Sequence, residues 1–258
     1  MRMNWLPALS GLLLVGLLSN ASAQAPAAAP SPAKAATLDT DPHLVGWWRF
    51  DEASGKSAAD SSRQAHDGTL EGGLAFDTQS RPGRIGKSIQ LDGKGGCIRV
   101  TGYKGVTGPG PRTVAVWMKT TASEGELVSW GLDDHGKMWI LGHIRGRIGV
   151  TPKGGYLYMK AATSDGAWHH VAVVVEEASP PNLHDHVKLF RDGEPAEIDD
   201  IGLLDLWPIE TGDKLDVRIG WRYQGLLDDL RIYDRALSED EIKALLTLES
   251  NRPLAKPQ

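Results

Sequence analysis

Carboxylates set into apolar runs are the first residues from which to ask chemistry. The stretch 225–242 holds a clear example, Gly-Leu-Leu-Asp-Asp-Leu-Arg-Ile-Tyr-Asp-Arg-Ala-Leu-Ser-Glu-Asp-Glu-Ile. From Asp228 the pattern alternates as a half-buried strand does, with Leu230 and Ile232 on one face and Asp229, Arg231 and Tyr233 on the other. The same parity turns Asp228 toward the apolar side. A carboxylate facing a core is costly unless it is paired, hydrogen-bonded or bound to a cation. Asp228 is therefore the first residue expected to hold a metal.

Other chemistry-bearing residues give weaker signals. Polysaccharide hydrolysis needs two carboxylates on one cleft, which on a strand means spacing by two. Glu124-Gly125-Glu126 has that spacing but reads as a turn, and Glu239-Asp240-Glu241 is contiguous and opens a helix. His184-Asp185-His186 has a zinc-compatible spacing without a third ligand and reads as a solvated turn after Pro180-Pro181. Trp168-His169-His170 opens an apolar strand, so His170 is expected as a hydrogen-bonded core residue. Neither a Gly-x-Ser-x-Gly elbow nor a Gly-x-Gly-x-x-Gly loop before a helix is present. Cys97, the single cysteine, cannot close an internal bridge and alternates as an ordinary strand residue. Sugar recognition uses aromatic faces with a few polar groups. Trp207, Trp221, Tyr223, Tyr156 and Tyr158 lie in or beside expected loops, and Trp207 and Tyr223 are the leading ligand-binding candidates.

The elements that must position these residues are mostly strands. With 30 Gly, 15 Pro and 9 Trp in 258 residues, and apolar runs kept short, the composition favours an all-β domain. About a dozen strands are predicted between residues 44 and 233, separated by Gly, Pro and Asp. Residues 114–118 and 171–175 are apolar on both faces, as strands in the middle of a two-layer stack are. Ser238 with Glu241 forms a capping box before Ile242, Leu245 and Leu246, which predicts one short C-terminal helix. Residues 1–23 read as a secretory signal, with Arg2, an apolar centre and Ala21-Ser22-Ala23 before Gln24. Residues 24–41 form an Ala/Pro-rich tract expected to be a disordered spacer. A domain over 42–250 and a tail over 251–258 complete the division. The net charge of −5 and the lack of a Lys/Arg-dense stretch leave no nucleic-acid footprint, and no later segment has the length of a membrane span.

Five blocks in order resemble the LamG-like, concanavalin A-like jelly-roll family. They are Trp47-Trp48-Arg49-Phe50-Asp51-Glu52-Ala53-Ser54-Gly55, Asp60-Ser61-Ser62 with Asp67-Gly68-Thr69, the run from Gly83 to Gly93, Trp168-His169-His170-Val171-Ala172, and the run from Leu227 to Ser238. The resemblance implies a two-sheet antiparallel sandwich whose first and last strands lie together. It also implies a structural calcium (Ca2+) tying the 60–67 loop to the last strand, held by Asp60 and Asp228 with Asp51 third. Such an ion takes six to eight oxygens. The expectation is an exported, secreted or periplasmic, non-enzymatic module that binds a glycan or a surface protein. The alternatives are a polysaccharide-active hydrolase or lyase of the same class, or a purely structural adhesive protein.

Overall fold

A computed structural model describes residues 37–202 and 207–247. The expected leader, most of the Ala/Pro tract and the tail lie outside these residues. The strands are β1 (Leu44–Trp48), β2 (Ser57–Ala58), β3 (Gly68–Leu70), β4 (Ser80–Pro82), β5 (Lys87–Asp92), β6 (Ile98–Val100), β7 (Arg112–Lys119), β8 (Gly125–Gly131) and β9 (Met138–Ile144). They continue as β10 (Arg147–Thr151), β11 (Tyr156–Ala162), β12 (Trp168–Val175), β13 (Val187–Arg191), β14 (Glu194–Pro195), β15 (Ile198–Gly202), β16 (Leu215–Ile219) and β17 (Gln224–Tyr233). Two single-turn helices, Phe76–Gln79 and Leu183–His186, interrupt them, and Glu239–Thr247 forms the longer C-terminal helix. The His184-Asp185-His186 stretch is thus one helical turn, in which Asn182 Oδ1 accepts the Asp185 N–H at 2.8 Å.

All pairings are antiparallel, in two sheets. The eight-stranded sheet runs β14-β13-β12-β7-β17-β5-β4, with β1 also on β17; the nine-stranded sheet runs β15-β11-β10-β9-β8-β16-β6-β3-β2. The main core lies between them, where Val114, Val116 and Met118 of β7 and Val171, Val173 and Val175 of β12 meet Trp130, Trp139, Leu141, Ile148 and Val150. A second core covers the opposite side of the eight-stranded sheet. There Ala115, Ala172 and Val174 pack under Leu237, Ile242 and Leu245 of the C-terminal helix segment. This is why β7 and β12 are apolar on both faces, as expected from their sequence. The helix starts at the predicted capping box, with Ser238 N–H donating to Glu241 Oε2 at 2.8 Å and Glu241 N–H to Ser238 Oγ at 3.3 Å.

The spacer ends sooner than its composition suggests. Leu38 is 1% exposed within the second core. Asp39 meets Arg231 at 2.7 Å and Asp41 meets Arg235 at 2.5 Å. Residues 37–41 therefore belong to the folded domain, because one leucine and two acids find apolar and cationic partners on the last strand and the segment after it.

Along one edge β17 changes partner. Its first half, Gln224 to Leu227, pairs with β5, and its second half, Leu230 to Tyr233, pairs with β1. The other edge pairs with β7, with a shift between Asp228 and Arg231. At that shift Asp229 has φ 50°, so an extra residue bulges out and reverses the alternation. Leu227 and Leu230 both face the main core, and Asp228 lies opposite Trp117 on the outer face. The simple parity that aimed Asp228 at the core is corrected by this bulge.

Candidate functional site

On the outer face of the nine-stranded sheet, glycines stand where side chains would block access. Because Trp139 and Leu141 face the core, Ile140 and Gly142 of β9 face outward; because Ile148 and Val150 do so, Gly149 of β10 faces outward as well. Register places Glu126, Gly142, Gly149 and Tyr158 in one row across four strands. Strands lie about 4.8 Å apart, so the two glycines leave a shallow strip beside Glu126, and the Tyr158 ring lies across its Gly149 end. Glycine inside a strand commonly marks such a close approach.

Rings of β11, and two more at the turn between β10 and β11, are seated against main chain. A Cβ on Gly149 would lie 2.0 Å from Cδ1 of Tyr158, so only glycine admits that ring. Gly202 accommodates Tyr156 in the same way, at 2.3 Å, and Gly154 accommodates Trp207 and His135, at 2.7 and 2.5 Å. Tyr156 and Tyr158 have ring centroids 5.5 Å apart, and His135 and Trp207 5.1 Å apart. Tyr158 is nearly buried, whereas Tyr156 is 36% and Trp207 43% exposed.

The other side of the strip is charged. Arg99 of β6 and Arg218 of β16 are register partners, and Arg218 in turn faces Ser129 of β8. Arg99 Nε donates to Glu71 Oε1 at 2.9 Å, Arg218 NH2 to Glu126 Oε2 at 2.9 Å, and Ser129 Oγ to the same Glu126 oxygen at 2.6 Å. Arg218 also lies over the Trp221 ring, 4.3 Å from its centroid. The row therefore presents two neutralised acid–arginine pairs. Cys97, buried beside Glu71, has its thiol pushed up first by burial and then by the Glu71 charge.

The three expected metal ligands do not assemble. Asp60 Oδ1 accepts the Trp47 and Ser62 N–H groups, each at 2.8 Å, and its Oδ2 accepts the Ser62 hydroxyl at 2.7 Å and the His66 N–H at 2.8 Å. Both oxygens are thereby saturated by their own loop and the end of β1. Asp51 accepts the Lys87 N–H at 2.9 Å and pairs with Arg49 at 2.8 Å. Asp228 Oδ2 accepts the Ile85 N–H at 2.8 Å, while its Oδ1 is buried without a partner. Asp51 and Asp228 thus clasp the 83–87 loop from two sides, and Asp60 serves a different turn. Among the described residues no three His, Cys, Asp or Glu side chains converge as a metal site requires. Burial is the main cause that pushes the Asp228 carboxyl up to about 8, against the pull of the Ile85 and Arg84 N–H groups.

Of the two leading aromatic candidates, Trp207 is exposed, but Tyr223 is fully buried in the main core. Its hydroxyl donates to the Leu226 carbonyl at 3.3 Å, so it cannot meet a ligand. The loop reading of residue 223 failed because the ring swings inward before β17 begins. Glu126 was read as a turn residue, yet β8 starts at Gly125. The outward glycines at 142 and 149 were the signal that could have located the strip. His170 is buried in its strand, but its Nδ1 lacks the expected partner.

Solved structures share this architecture. Domain 4 of AbnA, a GH43 extracellular arabinanase from Geobacillus stearothermophilus, solved in complex with arabinotriose, aligns with a TM-score of 0.58 at 21% identity, covering 79% of this chain and 98% of that one. The botulinum neurotoxin serotype D binding domain aligns at 0.51 with 14% identity, covering 83% of this chain and 52% of that one. The serotype D ligand-binding domain in complex with N-acetylneuraminic acid aligns at 0.50 with 13% identity, again covering 83% and 52%. This chain thus spans about half the length of the toxin domains. No curated protein matches. At these identities the likeness establishes the fold. A family model described as the concanavalin A-like lectin/glucanases superfamily, Laminin_G_3, matches residues 92–243, more than half of the sequence, and the chain belongs to that family.

Proposed function

We propose that this protein is an exported, non-catalytic glycan-binding module. Its ligand lies on the outer face of the nine-stranded sheet, between the Glu126–Arg218 pair and the Tyr158, Tyr156 and Trp207 rings. The observation that carries this reading is the seating of those three aromatic rings over Gly149, Gly202 and Gly154. Rings held against main chain are pre-positioned, so stacking a sugar face on them costs little side-chain entropy. Glu126 and Arg218 supply an acceptor and donors that hydroxyl groups need, and the buried Ser129 hydroxyl holds the Glu126 carboxylate in place. The arabinotriose and N-acetylneuraminic acid complexes of the similar structures support a carbohydrate as the ligand class.

The non-catalytic part rests on the carboxyl groups. Glycoside hydrolysis needs a proton-donating acid with a raised pKa close to a second carboxylate. Glu71 and Glu126 on this face are each engaged by an arginine. Asp228, the acid raised furthest, is 1% exposed under the 83–87 loop, out of reach of a polysaccharide.

A glycan array followed by calorimetry tests the proposal. Trp207→Ala and Tyr156→Ala should each weaken the best ligand about tenfold, equivalent to ~1.4 kcal/mol, without lowering the melting temperature. Unchanged affinity in both variants would remove the assigned surface. Release of reducing or unsaturated sugar from a polysaccharide panel would overturn the non-catalytic assignment.

A further inference from the structure

A second groove, of about 290 Å³, lies on the other sheet, where β5, β7 and β17 run side by side near the start of β17. Register sets Gln90, Leu226 and Lys119 in one row across these strands. Their neighbours Ile89, Leu227 and Met118 face the main core, so this row faces outward. Gln224 and Thr121 complete the lining. The walls are fixed by main chain. Thr120 Oγ1 donates to the Gln224 carbonyl at 2.5 Å and accepts the Ala122 N–H at 2.9 Å, and Gly166 N–H donates to the Thr120 carbonyl at 2.9 Å.

The polar ends lining this groove are unspent. Among the described residues, the side chains of Gln90, Gln224, Thr121 and Lys119 have no hydrogen-bonding or ionic partner. Lys104, Lys137, Lys153, Lys160 and Lys188, by contrast, each reach a carboxylate. The nearest acid in register is Asp92, opposite Gln224, and its Oδ1 already accepts the Lys94 N–H at 2.9 Å. The groove thus combines one unpaired ammonium, two amides able both to donate and to accept, a hydroxyl and the apolar flank of Leu226. Amides and hydroxyls match sugar hydroxyl groups, and Leu226 matches the C–H face of a ring. The ammonium matches one negative charge.

We infer that this groove is a second carbohydrate site, specific for a sugar unit that carries a carboxylate. It rests on the glycan-binding reading for its ligand class but uses a separate surface. The chain's net charge of −5 opposes anionic ligands at long range, so the preference comes from the local Lys119 charge. It should weaken as salt screens that charge.

The test titrates the whole chain with methyl β-glucuronide, methyl β-glucoside and acetate, following amide chemical shifts. The glucuronide should bind at least about tenfold tighter than the glucoside, with the largest shifts at Gln90, Lys119 and Gln224. Lys119→Gln should abolish that difference at an unchanged melting temperature, and Gln224→Ala should weaken both sugars. Trp207→Ala should leave all three titrations as they are. Equal binding of the two sugars, acetate binding as tightly as the glucuronide, or discrimination that survives Lys119→Gln would overturn the inference. If Trp207→Ala abolishes array binding while Lys119→Gln changes nothing, this groove is wrong and the proposed function stands. The reverse outcome removes the proposed surface and keeps the groove.

Discussion

At the scale of single residues, Asp228 controls a measurable pH dependence. An unfolded aspartate titrates near 3.9, whereas burial pushes the Asp228 carboxyl in the fold up to about 8. Between those values the folded chain keeps a proton that the unfolded chain has lost, so this group lowers stability as pH rises. His143 and His170, both pushed down to about 4 by burial, act in the opposite sense up to the unfolded histidine value of about 6.5. At about pH 6.5 the two histidines are still half charged in the unfolded chain and offset Asp228, whose effect dominates only as they lose that charge above about pH 7. The unfolding free energy from urea titrations should therefore fall between about pH 7 and 8, with a slope below ~1.4 kcal/mol per pH unit. Asp228→Asn keeps an acceptor for the Ile85 N–H and should flatten the fall; an undiminished slope in that variant would assign the effect elsewhere. The saturated oxygens of Asp60 carry a second expectation. Chelation with EDTA should leave the melting temperature unchanged, and a drop reversed by calcium would show that the 60–67 loop rearranges around an ion.

At the scale of elements, the last strand is held to residues 39 and 47 by buried charge. Arg231 is 1% exposed and lies between Asp229 at 3.1 Å and Asp39 at 2.7 Å. Its guanidinium sits 4.3 Å from the Trp47 ring centroid, and Trp47 Nε1 donates to Asp229 at 2.6 Å. Removing one partner of a buried pair strands the other, at a cost of about 3–5 kcal/mol. Arg231→Ala should destabilise by that amount in chemical denaturation, and a loss below about 1 kcal/mol would show that water enters to replace it. Much of this arrangement was legible in the sequence. The double-faced runs of β7 and β12, the capping box and the meeting of first and last strands follow from periodicity and from the ordered family blocks. The bulge at Asp229 was not legible, because nothing local distinguishes Asp228-Asp229 in αL geometry from the same pair in a regular strand. Leu38 was hidden by its Ala/Pro surroundings, and its burial depends on a surface formed some 200 residues later.

At the scale of the whole molecule, two sheets offer two different outward surfaces: one aromatic with balanced charge, the other small, amide-rich and cationic. No helix among the described residues is long and apolar enough to cross a membrane. Trp207 is exposed, as its place in an expected loop suggested. The glycine strip beside it needed the register of four strands, which no local pattern encodes. The single strand on which both halves of the eight-stranded sheet depend, β17, comes near the end of the chain and joins β5, β7 and β1. During synthesis β7, β12, β13 and β14 can pair, as can β4 and β5, but the two halves stay unjoined until β17 is made. A fragment stopping at Gly220 should show no cooperative unfolding by circular dichroism, whereas residues 37–247 should unfold in one step. A layer whose two halves meet only across its final strand cannot close until nearly the whole domain has been made.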